Sequence, residues 1–196
     1  VTIAEDTVAT EEAKYRVLDT FVSVEIRQYE PQLVAETEVE AELEEAGSEA
    51  FRRLAGYIFG KNKGAKKIAM TAPVIQREGE KIAMTAPVTQ ARSTSGRYLV
   101  RFTMPAAYTR ETLPEPLDPT VHVTEQPARR IAALRYSGTW SRKSYEAHLW
   151  QLRAALAQAG LFPVGEPHWA RYDPPWKPWF LRRNEVMLEL AEVASS

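Results

Sequence analysis

Three histidines, His122, His148 and His168, and not one cysteine make up the nitrogen and sulfur ligands of this 196-residue chain. No two of the histidines are spaced i, i+4 for a helix or as His-x-His for a strand, so a closed protein zinc site is not encoded. The missing cysteines remove disulfides, thiolate metal sites, cysteine nucleophiles and thiolate-bound haem. No Gly-x-Ser-x-Gly elbow presents a serine, and the nine glycines form no phosphate cradle. Hydrolysis would have to rest on isolated carboxylates near aromatic rings, Asp173 and above all Glu185. A buried Glu185 with a raised pKa would point to an enzyme; a salt bridge to Arg182 or Arg183 is its competing role. The remaining chemical concentration is Tyr172-Asp173-Pro174-Pro175-Trp176-Lys177-Pro178-Trp179-Phe180, flat apolar rings around one cation in a loop stiffened by proline. Such a loop suits the lid of an apolar pocket for a flat anionic ligand. Packing of the same rings onto the end of a barrel is the alternative.

The elements that must position these groups follow from periodicity. Phe21 to Arg27 alternates as a strand, and Pro31 interrupts it. Ala35, Thr37, Val39, Ala41 and Leu43 then share one face of a second strand whose other face is Glu36, Glu38, Glu40 and Glu42, a solvated acidic row. Ser48 is expected to cap a helix carrying Phe51, Leu54, Ala55 and Ile58 on one stripe, stopped by Gly60. The octapeptide Lys67-Ile68-Ala69-Met70-Thr71-Ala72-Pro73-Val74 recurs as Lys81-Ile82-Ala83-Met84-Thr85-Ala86-Pro87-Val88. A hairpin of the two copies is expected, each proline at a strand end, edge or bulge. Tyr98, Val100, Phe102 and Met104 face one way on the next strand. Strands over Val121 to Glu125 and Ile131 to Tyr136 follow, with His122 facing water. Ser141 caps a second helix with Tyr145, Leu149, Leu152 and Leu156 inward, closed by Gly160. A strand from Asn184 to Leu190 ends the pattern.

The first half thus reads strand, helix, strand, strand, and the second echoes it as strands, one amphipathic helix, then strands. This order predicts an α+β fold in which an antiparallel sheet of about eight strands, a partly closed and twisted barrel, is flanked by two helices. Residues 1–14 read as a loose tail and 15–193 as one domain. A formal charge of -1 gives no basic footprint for nucleic acid. No apolar run approaches the roughly 20 residues that span a bilayer. Val1 to Glu12 lacks the pattern of a secretory signal, which leaves the compartment open.

The doubled octapeptide, Phe51 to Gly60 followed by Lys61-Asn62-Lys63-Gly64, and Arg171-Tyr172-Asp173-Pro174-Pro175-Trp176-Lys177-Pro178 running into Arg182-Arg183-Asn184-Glu185-Val186 together resemble the SOUL haem-binding family, from Tyr15 to Leu190. The resemblance implies a distorted barrel of two β-α-β-β halves, related to gyrase-inhibitor-like effector-binding domains, that binds haem or another porphyrin non-covalently in a carrier or buffer role. It also implies a porphyrin lying on the first helix, at Phe51, Leu54, Ala55 and Ile58, with Trp176 and Lys177 contributed by the proline-rich loop. Ser48 and Gly56 stand where relatives carry basic helix residues, leaving Arg52 or Arg53 to meet the propionates. The chain has no histidine before His122, so an axial ligand from the N-terminal strands is not carried over and the iron's ligand stays open. The related effector-binding domains include hydrolases, which keeps an enzyme as the alternative. A module that docks another protein's helix in the same groove is a third reading.

Overall fold

The structure is a computed structural model and describes residues 11–64, 82–93, 95–174 and 176–191. Its elements in chain order are β1 (Glu11–Glu12), β2 (Tyr15–Phe21), β3 (Val24–Tyr29), β4 (Gln32–Val39), α1 (Leu43–Ile58), β5 (Thr85–Ala86) and β6 (Val88–Arg92). They continue as β7 (Tyr98–Thr103), β8 (His122–Gln126), β9 (Arg129–Tyr136), α2 (Arg142–Gln158), β10 (Pro163–Arg171), a 3-10 turn (Trp179–Leu181) and β11 (Asn184–Leu190). Nine strands form one antiparallel sheet in the order β2-β3-β9-β11-β10-β6-β7-β4-β8. β1 and β5 make a separate parallel pair.

Two copies of one unit explain that order. β4-α1-β6-β7 pairs its first strand with its last, and β9-α2-β10-β11 does the same. The units meet at β6 and β10. The strand leading into each unit crosses to the other: β3 precedes β4 but pairs with β9, and β8 precedes β9 but pairs with β4. The α+β class, the two helices and the two β-α-β-β halves are thus as expected. The sheet is barrel-like without closing, since β2 and β8 end its strand order and do not pair with each other among the described residues.

Register decides what each face holds. On the helix side lie Ala35, Thr37 and Val39, then Tyr98, Val100 and Phe102, Ala132, Leu134 and Tyr136, with Trp169, Val186 and Leu188, all buried. Leu54 and Ile58 of α1 and Tyr145, Leu152 and Leu156 of α2 complete this core with essentially no exposed surface. Each large apolar side chain so buried contributes about 1.5–3 kcal/mol. The opposite face carries Arg27, Tyr29, Ile131, Ala133, Glu185, Met187, His168 and Ala170. Tyr29, Arg129 and Ile131 from one side of the sheet and Val34, Arg101 and Thr103 from the other line a single cavity of about 20 Å³. Three strands separate these groups in the sheet order, so the sheet curls around its helix-free face.

Three local expectations are corrected. The alternation from Ala35 to Leu43 overshoots: β4 ends at Val39 and α1 begins at Leu43. Ser48 lies inside α1 and Glu42 is the N-cap, with no side-chain cap bond. Gly47 gave the appearance of a helix start, but it is a packing glycine: a Cβ there would stand 2.8 Å from Arg171 Nη1. The strand expected over Phe21 to Arg27 is split by a tight turn at Val22-Ser23, with Val22 at φ 55°. Ser141 does cap α2, its Oγ accepting from Ser144 N at 3.4 Å. Gly160 ends that helix at φ 67°, a conformation suited to glycine.

The first copy of the octapeptide lies outside the described residues, and so does its hairpin with the second. In the second copy, Ile82 donates its N–H to Ile58 O at 2.7 Å, and Pro87 falls between β5 and β6. No helix among the described residues is long and apolar enough to cross a membrane.

Candidate functional site

Glu185 is the natural place to look for an acid or base, and its surroundings are those of a structural ion. Arg27 donates to it through Nη1 (2.6 Å) and Nη2 (3.0 Å), Tyr172 through its hydroxyl (2.7 Å), and Arg183 through Nε (3.2 Å) and Nη2 (3.0 Å). Burial pushes this carboxyl up, but the hydrogen bonds and charge of Arg27, then Tyr172 and Arg183, outweigh it and hold the pKa below the usual carboxylate range. Burial beside the Glu185 charge pushes the Tyr172 hydroxyl well above its ordinary value. The raised pKa that would have marked a catalytic carboxylate is not found at Glu185.

The histidines do not converge. His122 is exposed on β8, and His148 directs Nδ1 at Ser144 O (2.7 Å) while its ring stacks on Tyr136 at 3.8 Å. His168 lies on the curled face against the small cavity. Burial, then the nearby charges of Arg129 and Arg101, push its pKa down to about 3, so the ring is neutral. A cavity of about 20 Å³ has room for roughly one water. Among the described residues no three histidine, aspartate or glutamate side chains are grouped to hold a metal.

The helix side offers a different arrangement, where the first turns of α1 and α2 approach each other. Arg142 bridges to Glu42 at 2.7 Å. Beneath them, Arg171 at the end of β10 donates Nε to the Tyr145 hydroxyl (3.0 Å) and Nη2 to Gln90 Oε1 (3.4 Å). Its guanidinium lies over the Trp140 ring at 4.8 Å, and that of Arg182 lies over the same ring at 4.4 Å. Trp140 is fixed from below, Nε1 donating to Asn184 Oδ1 at 2.8 Å. Two cations on one indole, half-buried, form a positive and aromatic floor.

The proline-rich loop continues from that floor. Arg182 Nε donates to Lys177 O at 2.7 Å. Trp176 is 83% exposed, and Trp179, Phe180 and Leu181 are each 57% exposed. Four large apolar side chains held out in one short loop constitute a patch that normally marks an interaction site. Lys177 donates Nζ to Asp173 Oδ1 at 2.6 Å, and Asp173 also accepts from Arg183 N at 2.5 Å.

The residues expected to line a ligand surface on α1 are divided by the structure. Phe51 is 40% exposed, with its ring 5.3 Å from that of Phe102, and Arg52 is exposed. Leu54 and Ile58 are buried in the core against the sheet, and Ala55 is 9% exposed. Trp176 and Lys177 sit in the loop. Arg171, Trp140 and Gly47 were not singled out from the sequence as ligand-facing residues, and Arg182 was named there only as a partner for Glu185, although a charged residue two positions after an inward Trp169 is a signal available in it.

Clefts of about 540 and 660 Å³ lie elsewhere, against β1 and the Glu30 turn. Their size is that of a ligand pocket. The first is lined by Glu11, Glu12, Glu30, Glu111 and Glu125 against Lys14 and Arg110, a charge balance that disfavours an anion.

Comparison with known proteins bears on the fold and the family. The C-terminal domain of EcmrR superposes with a TM-score of 0.62 at 9% identity, covering 91% of this chain and 99% of that one. The crystal structure of a hydrolase from Listeria innocua gives 0.55 at 10% identity over 86% of this chain and 92% of that one. These likenesses concern the fold alone. Heme-binding protein 1 of Mus musculus is 30% identical over 169 residues, 85% of this chain and 84% of that protein. Heme-binding protein 1 of Xenopus tropicalis is 28% identical over 166 residues, 84% and 82% respectively. The family model described as SOUL heme-binding protein matches residues 10–79 and 75–189, nearly the whole described chain, and the protein belongs to the SOUL haem-binding family.

Proposed function

We propose that the protein is a tetrapyrrole carrier or buffer, holding haem or a related porphyrin non-covalently on the surface formed by the proline-rich loop and the exposed flank of α1. The observation that carries this reading is the run of exposed Trp176, Trp179, Phe180 and Leu181 beside the two guanidiniums on Trp140. A porphyrin needs an apolar plane for its ring and cations for its propionates, and both are supplied here. Family membership and the names of the relatives support the same ligand. Phe51 and Arg52 extend the surface along α1. Leu54 and Ile58 serve by anchoring that helix to the sheet rather than by touching the ligand.

Magnitudes allow binding without an iron bond. Micromolar affinity corresponds to about 8.2 kcal/mol, or about 330 Å² of apolar area at about 25 cal/mol per Å² before association costs are counted. An aromatic side chain buries about 150–250 Å², so three rings of the loop and Phe51 suffice even against several kcal/mol of lost freedom. Haem, when bound, supplies its own redox and ligand-binding chemistry. The chain's part is to shield a flat face and to match two carboxylates.

The test is a Soret titration with haem of the parent and of Trp179→Ala with Phe180→Ala. Loss of one exposed ring pair should weaken binding by about tenfold or more. Equal affinity of the two proteins would place the ligand somewhere else.

A further inference from the structure

Building on that reading, we infer that Arg171 is the residue that receives a ligand carboxylate and sets the preference for an acid over its ester. The sequence pattern pointed to Lys177 for this task, but Lys177 and Asp173 already neutralise each other at 2.6 Å, and an incoming carboxylate there would meet the Asp173 charge. Arg171 is differently placed. It makes no ion pair with a carboxylate among the described residues, where Arg27, Arg101, Arg142 and Arg183 each do. Its hydrogen bonds go to two neutral acceptors, Tyr145 and Gln90, from Nε and Nη2, and Nη1 donates to nothing among the described residues. A half-buried guanidinium with an unused N–H and neutral neighbours is a preformed receptor for a carboxylate, which such a fork binds through parallel hydrogen bonds.

The fold sets this cation at the middle of the proposed surface. Arg171 is in register with Val88, and Val88 with Phe102, on which the Phe51 ring packs. Two strand spacings, about 10 Å, therefore separate Arg171 from Phe102, which carries the Phe51 ring. On its other side the shared Trp140 ring leads to Arg182 and the aromatic loop. Gly47 lets α1 pack close against this edge, because a methyl group there would stand 2.8 Å from Nη1 and 3.2 Å from Nη2. Glycine inside a helix costs about 1 kcal/mol relative to alanine, and the approach to Arg171 is what this position gains.

The experiment titrates protoporphyrin IX and its dimethyl ester, which differ only at the two carboxylates, into the parent, Arg171→Gln and Gly47→Ala. The parent should prefer the acid by about tenfold, the scale of one hydrogen-bonded charge pair. Arg171→Gln should bring acid and ester to within about twofold, the acid losing the greater part of its affinity. Gly47→Ala moves the guanidinium without removing it and should reduce the preference in a protein of undiminished helix content. An Arg171→Gln protein that keeps the full preference, or a parent that binds acid and ester equally, overturns the role of Arg171 while leaving tetrapyrrole binding in place. A parent that binds neither porphyrin overturns the carrier reading itself.

Discussion

Replacing Glu185 by glutamine separates a structural ion from a functional one. The substitution keeps the shape of the side chain but leaves the Arg27 guanidinium, 2% exposed, without its charged partner on that side. The Arg27 Nε contact to Glu25 at 2.8 Å remains, to a carboxylate that is itself part-exposed. An uncompensated buried charge costs about 3–5 kcal/mol, and the surviving Glu25 contact argues for the lower end. At about 2–4 °C per kcal/mol for a chain of this size, the melting temperature should fall by about 6–12 °C. Urea unfolding at pH 7 gives the free energy directly. The acid limb provides a second readout: the folded pKa of Glu185 lies below its unfolded value. Its contribution is complete above the unfolded carboxylate range, near 4.3, and is lost as pH falls through the folded value. The Glu185→Gln protein should lack that part of the acid sensitivity, and its haem affinity should match the parent's. Stability within about 1 kcal/mol of the parent would refute the buried-ion reasoning.

Two further outcomes are expected. His168, pushed down to about 3 by burial and by Arg129 and Arg101, is neutral in the folded state while the unfolded ring protonates near 6.5. The contribution of its burial is complete above about pH 6.5 and is lost as pH falls toward 3, at up to about 1.4 kcal/mol per pH unit. His168→Gln should flatten the urea-midpoint profile between pH 6.5 and 5, above the window in which Glu185 acts; an unchanged slope there would contradict this. Val22, exposed and held at φ 55°, is a β-branched residue in the left-handed region. Val22→Asn should stabilise the protein by about 1 kcal/mol in thermal unfolding, and a destabilised variant would show that the turn is shaped otherwise.

The elements with one wet and one dry face were legible because period and burial coincide there. Tyr98, Val100, Phe102 and Met104 all point inward as their alternation requires, and Tyr145, Leu152 and Leu156 do so on α2. The echo of strands, one amphipathic helix, then strands was readable for the same reason. Periodicity says that a stripe is apolar without saying what covers it. Phe51, Leu54, Ala55 and Ile58 have the same pattern whether they meet a ligand or a sheet, and the sheet takes Leu54 and Ile58 fully while Phe51 stays 40% exposed. The start of α1 was missed because Gly47 breaks propensity locally while fitting a contact to Arg171, some 124 positions later in the sequence. The loop rings could be named from sequence, but their exposure depends on the 3-10 turn at Trp179–Leu181 and on Arg182 holding the Lys177 carbonyl. The crossing of β3 and β8 between the two halves leaves no local trace in either strand.

Binding by shape and apolar contact, with no side chain bonded to the metal, is the claim on which the functional account rests. Measuring the dissociation constants of iron protoporphyrin and metal-free protoporphyrin side by side addresses it most directly. Values within about threefold of each other are expected, since less than 1 kcal/mol then depends on the iron. A preference for the iron form of a hundredfold, abolished by replacing a single histidine, would contradict it.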